Sequence, residues 1–338
     1  MVKVAIIGLG YWGPNFIRIM DELPEARLVA ACDSDAAKYE RLAGLYPHVE
    51  FTDDLESLLS GDKVDAVIIA TGSDSHYEVG RKSLLQNKHV LVEKPIALRS
   101  SQAADIVELA ARKKRVLLVG HLLRYHRGVI KLKEYLDEGY LGKIRYIYTT
   151  RVNLGRIRKE ESALWSFATH DISVVDYLLG GQPEYVTASG QSYVRKGVHD
   201  VVFVTLHFKD DVMAHLHVSW LDPHKIRKIT VVGDAKMAVL DDMQATEKLR
   251  IYDKGVDFVP SYGDYGESLS IRVGDIYIPK IDMAEPLKVE CKHFLDCITK
   301  GVAPLTDGEC GLNVLRVLEA AEESLRQGSK AIPVGADR

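Results

Sequence analysis

The chain carries a lysine and a histidine whose neighbourhoods predict acid–base chemistry. Lys94 ends an apolar, strand-like run and precedes Pro95, which favours extended geometry at Lys94. His170 lies in a predicted helix, residues 165–180. An imidazole that titrates near neutral pH can take the proton of a hydroxyl, which is worth about 10²–10⁴ in rate. An ammonium group can stabilise the negative charge left on an oxygen that loses its proton, so the two residues predict acid–base chemistry.

Each of these two residues also has a purely structural interpretation. Exposed lysines are common, and composition alone favours a surface role for Lys94 at a strand end. A hydrogen-bonded structural histidine also fits the periodicity around His170. The chemistry therefore depends on the elements that position the two side chains.

A glycine-rich turn near the start of the chain predicts a dinucleotide site. Apolar residues 4–7 lead directly into Gly8-x-Gly10-x-x-Gly13, and a helix-like segment follows. Gly8 allows the tight turn, Gly10 lets the backbone approach a pyrophosphate, and Gly13 lets the helix pack against the strand. The amides at the helix start then face the phosphates. A glycine turn without a ligand is the alternative, but the flanking strand and helix favour the dinucleotide.

Asp33 predicts which dinucleotide is bound. It lies 20 residues beyond Gly13 and follows a second apolar run, residues 28–32. A carboxylate at this distance can accept a hydrogen bond from a ribose hydroxyl, and its charge disfavours a 2′-phosphate. NAD is therefore expected as the cofactor, and NADP is disfavoured.

Composition and charge exclude several classes of partner. The formal net charge of −4 leaves no basic footprint for nucleic acid. No apolar run approaches the ~18 residues of a membrane span, and a predicted strand stands where a signal peptide would lie. The four cysteines lack Cys-x-x-Cys spacing, which favours reduced, buried thiols over disulfides or zinc. A cytoplasmic protein is expected.

Two further clusters have more than one interpretation. His215 and His217 point one way along a predicted strand and resemble half of a metal site. No third ligand of suitable spacing stands out, so no metal is expected. The run Arg156-Ile157-Arg158-Lys159 can either bind a phosphorylated substrate or form a solvated loop.

Residues 1–121 contain the elements that position the glycine turn and Lys94. Short apolar runs alternate with helical patterns, and the continuous Val, Ile and Ala content implies strands buried on both faces. This pattern is typical of a parallel sheet with helices on each side, that is, a Rossmann dinucleotide-binding domain. Ligands bind beyond the carboxyl ends of such strands, where Lys94 is expected. The predicted strands are Val2–Ile7, Leu28–Cys32, Val49–Phe51, Val64–Ala70, Val90–Val92 and Val116–Val119.

Residues 122–338 are predicted to form an α/β domain around a large, mainly antiparallel open sheet. Residues 142–153 alternate as a strand, and residues 201–220 read as a hairpin with one apolar face for covering helices. The other face of the sheet is mixed and suits a subunit interface. Residues 253–282, rich in Gly, Tyr and Asp, are expected to form a long loop with short strands. Two helices complete the prediction, at residues 287–300 and 312–327.

The helix predicted at residues 165–180 has an apolar stripe and a hydrogen-bonding stripe. A helix with these two faces can line a pocket. The apolar stripe is Trp165, Ala168, Ile172, Val175 and Leu179, and the hydrogen-bonding stripe is Ser166, Thr169, His170, Ser173 and Tyr177.

Together these motifs resemble the Gfo/Idh/MocA family of sugar and inositol oxidoreductases. The resemblance rests on GLGYWGPN at residues 8–15, on Glu93-Lys94-Pro95 and on His170-Asp171, and it covers nearly the whole chain. It implies a Rossmann domain followed by an α/β domain whose open sheet mediates homo-dimers or homo-tetramers. It also implies a tightly held nicotinamide cofactor, hydride transfer at a ring carbon, and often a cis peptide bond before Pro95.

The resemblance also implies roles for individual residues. Lys94 matches the family lysine that contacts nicotinamide and the substrate hydroxyl, and His170 matches the family's catalytic histidine. Many members have an aspartate four residues before this histidine, where this chain has Ser166, so Lys94 is expected to carry more of the acid–base work. The expected cofactor contacts are Gly8, Gly10, Tyr11, Trp12, Gly13, Asp33, Ala70, Thr71, His76, Glu93 and Lys94. The expected substrate contacts are Lys94, Arg124, Asn153, Arg156, Trp165, Ser166 and His170.

Within the family, the chain is similar to enzymes of nucleotide-sugar pathways, including UDP-N-acetylglucosamine 3-dehydrogenases. The similarity rests on GYWGPN, on Trp165 and on the segment from Pro279 to Leu287. Arg156 and Arg158 are then the candidates for contact with a nucleotide diphosphate. A free-sugar or inositol dehydrogenase is the alternative enzyme, and a non-catalytic NAD-binding sensor or scaffold is the alternative from another class.

Overall fold

The computed structural model describes residues 1–155, 161–260 and 267–335 of the chain. The described strands are, in chain order, β1 (Val2–Ile7), β2 (Ala26–Cys32), β3 (Glu50–Thr52), β4 (Ala66–Ile69), β5 (His89–Glu93), β6 (Leu117–Gly120), β7 (Ile144–Val152), β8 (Tyr185–Gln191), β9 (Val201–His207), β10 (Met213–Ser219), β11 (Ile226–Gly233), β12 (Met237–Asp241), β13 (Leu249–Pro260), β14 (Glu267–Tyr277) and β15 (Ile332–Pro333).

The described α-helices lie between and after these strands. They are α1 (Gly13–Glu22), α2 (Ala37–Leu45), α3 (Leu55–Leu59), α4 (His76–Leu85), α5 (Ser100–Lys113), α6 (Arg127–Asp137), α7 (Thr169–Leu179), α8 (Pro286–Lys300) and α9 (Gly308–Arg326). None of the helices in the described parts of the chain has the length and apolarity needed to cross a bilayer.

The chain folds into two compact units. The first unit comprises residues 1–125 and 284–315, and the second comprises residues 126–283 and 316–338. The sequence division between residues 121 and 122 did not anticipate that residues 284–315 return to the first unit. Such a return depends on packing between distant segments, which composition along the chain does not report.

A six-stranded parallel sheet organises the first unit. The strand order is β3-β2-β1-β4-β5-β6, and every neighbouring pair is parallel. This is the doubly wound order that brings the ends of β1 and β4 together at the switch point, where dinucleotides bind. All six predicted strands are present with small changes at their ends, so the Rossmann prediction is confirmed.

Helix α8 completes the apolar core of the first unit. One cluster of buried side chains joins β1, α1 and β2 to four residues of α8. Burying an apolar side chain of this size contributes about 1.5–3 kcal/mol, so the late segment is integral to the unit. The four residues are Leu287, Cys291, Phe294 and Leu295.

A nine-stranded, mainly antiparallel sheet organises the second unit. Its order is β14-β13-β12-β11-β7-β10-β9-β8-β15, and β7 and β10 run parallel within it. The predicted hairpin is present as β9 and β10, with Val202, Val204 and Leu206 buried on its apolar face. The predicted open antiparallel sheet, and with it the two-part α/β fold class, is therefore confirmed.

The expectation of a long loop at residues 253–282 is wrong. Strands β13 and β14 form an extended antiparallel pair, with Val256 opposite Ile271. Arg272 forms an ion pair with Asp253 at 3.0 Å and a second one with Asp257 on the facing strand. Such cross-strand charge pairs stabilise strands whose Gly and Asp content would otherwise predict a loop.

Candidate active site

The glycine turn after β1 leaves a cradle that a side chain would block. Gly8 has φ +94°, and a Cβ on it would lie 2.6 Å from the Thr71 amide nitrogen. A Cβ on Gly13 would collide with the carbonyl oxygen of Gly8. A Cβ on Gly10 would meet nothing within 4 Å, so the backbone there borders open space. A diphosphate needs this close approach to the backbone, and the turn therefore fits a dinucleotide.

Helix α1 begins at this turn. In the described structure no side chain caps its first turn, Pro14 stands in the opening turn, and no acidic residue lies there. The amides at this end therefore carry the positive end of the helix dipole without a protein anion to neutralise it. Tyr11 and Trp12 lie just before the helix with their rings edge to face, and Tyr11 is 85% exposed.

Asp33 is buried at the end of β2 and already accepts three hydrogen-bond donors. The Leu9 amide lies 2.7 Å from Oδ2, and the Asp35 amide lies 2.9 Å from Oδ1. The Lys38 ammonium lies 3.0 Å from Oδ1. Burial alone would raise the pKa of Asp33, but these donors outweigh it and lower the pKa, so the carboxylate is ionised. A ribose hydroxyl would share this carboxylate with Lys38.

His76 ties the loop after β4 to the segment after β5. Its Nδ1 lies 2.7 Å from the carbonyl oxygen of Pro95, and its Nε2 lies 3.2 Å from that of Thr71. Burial lowers the pKa of His76, so the ring is neutral and donates to one of the two carbonyls at a time. The Lys94–Pro95 peptide bond is cis, as the family resemblance predicts.

Lys94 lies at the carboxyl end of β5, on the same sheet edge as the glycine turn. The preceding Glu93 is 8% exposed, and its Oε2 accepts a hydrogen bond from the Lys94 amide at 3.1 Å. Gly120 pairs with Glu93 across β5 and β6, and a Cβ there would lie 3.2 Å from Glu93 Oε2. Burial raises the pKa of Glu93 to about 7, although the Lys94 ammonium opposes the shift.

The segment after β6 adds a histidine that the sequence did not single out. His121 and Arg124 are both buried, His121 directly after Gly120 and Arg124 in a 3₁₀ turn, Leu122–Tyr125. Burial, followed by the charges of Arg124 and Lys94, lowers the pKa of His121 to about 3, so its ring is neutral. In the described residues neither ring nitrogen of His121 has a hydrogen-bond partner.

The helix that carries His170 is not one regular α-helix as predicted. Residues Leu164–Ala168 form a π-helical turn, and α7 begins at Thr169. A π turn adds a residue, so the position one turn before His170 is no longer fixed at Ser166. The two predicted stripes also differ less than expected, because Ser166, Thr169 and Ser173 are buried like the apolar residues. A 3.6-residue period cannot reveal either feature.

Two polar contacts anchor the π turn and the start of α7. The Ser166 hydroxyl accepts a hydrogen bond from Trp220 Nε1 at 3.2 Å. Arg151 on β7 binds both oxygens of Asp171, at 2.7 and 3.0 Å. Asp171, the neighbour of His170, is therefore committed to Arg151.

Asn153 lies beside a second arginine of the same sheet. Its Oδ1 accepts a hydrogen bond from Arg227 Nη2 at 2.5 Å, and the Arg227 guanidinium stacks 5.0 Å from the Phe167 ring centroid. Arg227 pairs with Arg151 across β11 and β7. Burial and the charge of Arg151 lower the pKa of Arg227 to about 10. The predicted substrate residue Asn153 is thus oriented by a half-buried cation.

The remaining predicted residues fall in three groups. Arg156 and Arg158 lie outside the described residues. Trp165 is half-buried, and Ala70 is buried at the end of β4. His215 and His217 stack on Phe203, and no described group of three His, Cys, Asp or Glu side chains is placed to hold a metal ion.

Two family models match the chain in sequence. The first, an oxidoreductase family with an NAD-binding Rossmann fold (GFO_IDH_MocA), matches residues 2–121. The second, the GFO/IDH/MocA C-terminal domain, matches residues 129–239. The two matched segments follow one another along the chain, and the two models describe the two domains of one protein family.

Relatives and solved structures agree with these matches. An uncharacterized oxidoreductase of Streptococcus pneumoniae is 30% identical over 64% of this chain and 62% of its own length. A 2,7-anhydro-N-acetylneuraminate hydratase of Mediterraneibacter gnavus is 30% identical over 64% of this chain and 60% of its own length. The chain thus spans about 60% of the length of these curated relatives.

Many solved structures match the chain, and the two described next do so over nearly its full length. An oxidoreductase candidate from Magnetospirillum magnetotacticum is 30% identical, with TM-score 0.80 over 95% of this chain and 99% of that one. A UDP-N-acetylglucosamine 3-dehydrogenase from Acidithiobacillus ferrooxidans is 23% identical, with TM-score 0.82 over 96% of this chain and 98% of that one. At 23% identity, the similarity to the Acidithiobacillus ferrooxidans enzyme shows a shared fold.

Proposed function

Because the chain belongs to the Gfo/Idh/MocA family of oxidoreductases, we propose that it transfers hydride between NAD and a hydroxyl-bearing ring carbon of a sugar. The observation that carries the proposal is the sheet edge of the first unit. There the open backbone at Gly10, the ionised Asp33 and the amino group of Lys94 follow the carboxyl ends of parallel strands. This combination provides phosphate, ribose and reacting-group contacts along one edge.

NAD is proposed as the cofactor in preference to NADP. The Asp33 carboxylate is held ionised by the amides of Leu9 and Asp35, and its charge disfavours a 2′-phosphate. The predicted contacts Gly8, Gly13 and Thr71 surround the same turn. When bound, the nicotinamide accepts or returns the hydride.

Lys94 and His170 are proposed to handle the hydroxyl proton. The Lys94 ammonium stabilises negative charge that develops on the substrate oxygen, and the His170 imidazole accepts the proton as general base. Asp171, the neighbour of His170, is bound through both of its oxygens by Arg151. Arg124, Asn153 and Trp165 are proposed to contact the sugar.

The proposed substrate is a nucleotide sugar of the UDP-N-acetylglucosamine type. Support comes from the basic run at 156–159 and from the GYWGPN and Pro279–Leu287 segments. A free sugar or inositol is the alternative substrate. The hydratase among the relatives adds an alternative reaction without net redox change.

The proposal also includes a homo-oligomer formed through the open sheet. It further includes a cytoplasmic location, in keeping with four buried free cysteines.

The proposal is tested by following nicotinamide absorbance with a panel of UDP-sugars, free sugars and inositols. Reduction of NAD by a UDP-sugar supports the proposal, and reduction by inositol alone selects the alternative enzyme. Substrate consumption without accumulated NADH indicates a hydratase-like reaction. NAD binding with no turnover of any compound supports the non-catalytic scaffold.

A lysine variant separates chemistry from binding. Lys94→Ala is expected to lower kcat on the order of 10²–10⁴-fold while the Kd for NAD changes far less. The matched control is Lys82→Ala. Lys82 is an exposed lysine on α4 that forms an ion pair with Glu56 on α3. Unchanged turnover in Lys94→Ala would remove this residue from the mechanism.

A further inference from the structure

Glu290 is a carboxyl group buried in the core of the first unit. It lies on the apolar face of α8 between Leu287 and Phe294 and is 0% exposed. In the described residues neither of its oxygens has a hydrogen-bond partner. An unpaired carboxylate in such surroundings costs several kcal/mol, so the group is stable there only as the neutral acid.

Glu93 is a second buried carboxyl group, and its charge acts on Glu290. Burial raises the pKa of Glu290 well above its ordinary value, and the charge of Glu93 raises it further. The ionised form of Glu93 is better stabilised than that of Glu290, because Glu93 has a hydrogen-bond donor and a nearby cation. Its Oε2 accepts the Lys94 amide, and the Lys94 ammonium lowers its pKa. Of the two carboxyls, Glu93 therefore ionises first.

The other groups around the pair leave this order intact. Burial raises the pKa of Tyr125 in the 3₁₀ turn and of Cys291 on α8, and a charge on Glu290 would raise both further, so both groups are neutral. His121 is also neutral, and Arg124 acts on His121 together with Lys94. The charges of Arg18 and Glu285 act on Cys291, and the two side chains form an ion pair with each other.

We propose that above neutral pH Glu93 and Glu290 form a buried acid pair that holds one proton, on Glu290, while Glu93 carries the single negative charge that positions the Lys94 ammonium. Protonated Glu290 donates its proton to no other described side chain and so stores it inside the core. The Glu93 carboxylate accepts a hydrogen bond from the Lys94 backbone amide, and its negative charge offsets the positive charge of the Lys94 side chain. Only the effect on catalysis rests on the proposed function of Lys94.

Infrared spectroscopy of the cofactor-free full-length protein tests the pair directly. At about pH 8 ordinary carboxyls are ionised, so a protonated carboxyl stretch reports an anomalous acid. The wild-type protein is expected to show this band, and Glu290→Gln is expected to lose it. The matched control Asp296→Asn on the same helix removes an ion-paired carboxyl that is ionised, and it should keep the band.

A second variant keeps the test decisive if Glu290→Gln does not fold. Glu93→Gln preserves an acceptor for the Lys94 amide, and it should keep the Glu290 band while losing the carboxyl that titrates near neutral pH. A wild-type spectrum with no protonated carboxyl band at about pH 8 overturns the proposal. So does a band that survives in Glu290→Gln.

A kinetic readout addresses the positioning role of Glu93. Removing its charge should shift the alkaline limb of the pH–kcat profile to lower pH in Glu93→Gln, because the Lys94 ammonium loses its stabilising anion. Glu290→Gln should leave that limb in place, since Glu93 stays ionised. Equal profiles in the wild type and Glu93→Gln refute the positioning role. Absence of any turnover would refute the proposed function but leave the infrared result unaffected.

Discussion

The Nδ1 atom of His76 lies 2.7 Å from the carbonyl oxygen of Pro95. This bond connects the first residue of α4 to the cis-proline that follows Lys94. The other ring nitrogen lies 3.2 Å from the Thr71 carbonyl oxygen, so one side chain spans the ends of two neighbouring strands. The position of Lys94 therefore depends on a histidine that needs no contact with the substrate.

His76→Ala is expected to weaken both stability and cofactor binding. The side chain is 1% exposed, and its loss removes a buried hydrogen bond and leaves a cavity, which together cost about 2–4 kcal/mol. Urea unfolding measures the first effect, and titration with NAD measures the second. His224→Ala is the control, because His224 is an exposed histidine and should change neither quantity.

Lys38 is expected to set how strongly the protein discriminates between NAD and NADP. Its ammonium lies 3.0 Å from Asp33 and partly offsets the repulsion that a 2′-phosphate meets there. Lys38→Ala should therefore weaken NADP binding several-fold more than NAD binding. Calorimetric Kd values for both cofactors check this, with Lys63→Ala, an exposed ion-pair partner of Glu50, as the control. A constant Kd ratio would contradict the expectation.

The Arg151–Asp171 pair is expected to behave as one unit in unfolding experiments. Both side chains are largely buried, at 11% and 2% exposure, and bind through two hydrogen bonds. Arg151→Met leaves a buried carboxylate unpaired and should cost about 3–5 kcal/mol. The double variant Arg151→Met, Asp171→Asn should lose less than the sum of the single losses. Additive free energies of unfolding would show that the two residues act independently.

Raising the pH is expected to destabilise the wild type more than Glu290→Gln. The folded protein raises the pKa of Glu290, so this group contributes its full stability below the unfolded value of 4.5. The contribution is lost as the pH rises toward the folded pKa, because the unfolded chain ionises freely and the core does not. Thermal unfolding from acidic to alkaline pH should show Tm curves that meet at low pH and separate at high pH. Parallel curves would mean that folding leaves the pKa of Glu290 unchanged, which contradicts a neutral, buried acid.

The first unit was predictable because its signals are local. Each parallel strand is a continuous apolar run, and Gly8, Gly10 and Gly13 mark a turn whose steric requirement the structure reproduces. Contacts between residues farther apart in the chain were not predictable, which is why the bond of His76 to the Pro95 carbonyl emerges only in three dimensions.

The β13–β14 hairpin escaped prediction for a steric reason. Gly255 and Gly274 lower the strand signal, but a Cβ on Gly255 would lie 2.6 Å from Arg272, and one on Gly274 would lie 2.9 Å from Asp253. The glycines thus make room for the cross-strand ion pair. Sequence composition shows that Gly255 and Gly274 lack side chains, but it does not show that Arg272 and Asp253 occupy the space beside them.

Glu290 left a signal that sequence reasoning could have used. Residues 287, 290, 291, 294 and 295 follow the spacing of a buried helical stripe, and a glutamate in such a stripe conflicts with burial. His121 left no comparable signal, since a histidine after a strand is ordinary. Only the structure shows that it is buried and that the charges of Arg124 and Lys94 act on it.

Helix α8 packs against α1, although the ribosome synthesises it long after the strands it covers. At about 5–20 residues per second, the interval between residues 125 and 284 lasts on the order of ten seconds or more. During that interval the nascent segment 1–125 lacks Phe294 and its neighbours and exposes the apolar surface they will cover. A premature stop anywhere before α8 would leave a chaperone client instead of an independent nucleotide-binding module.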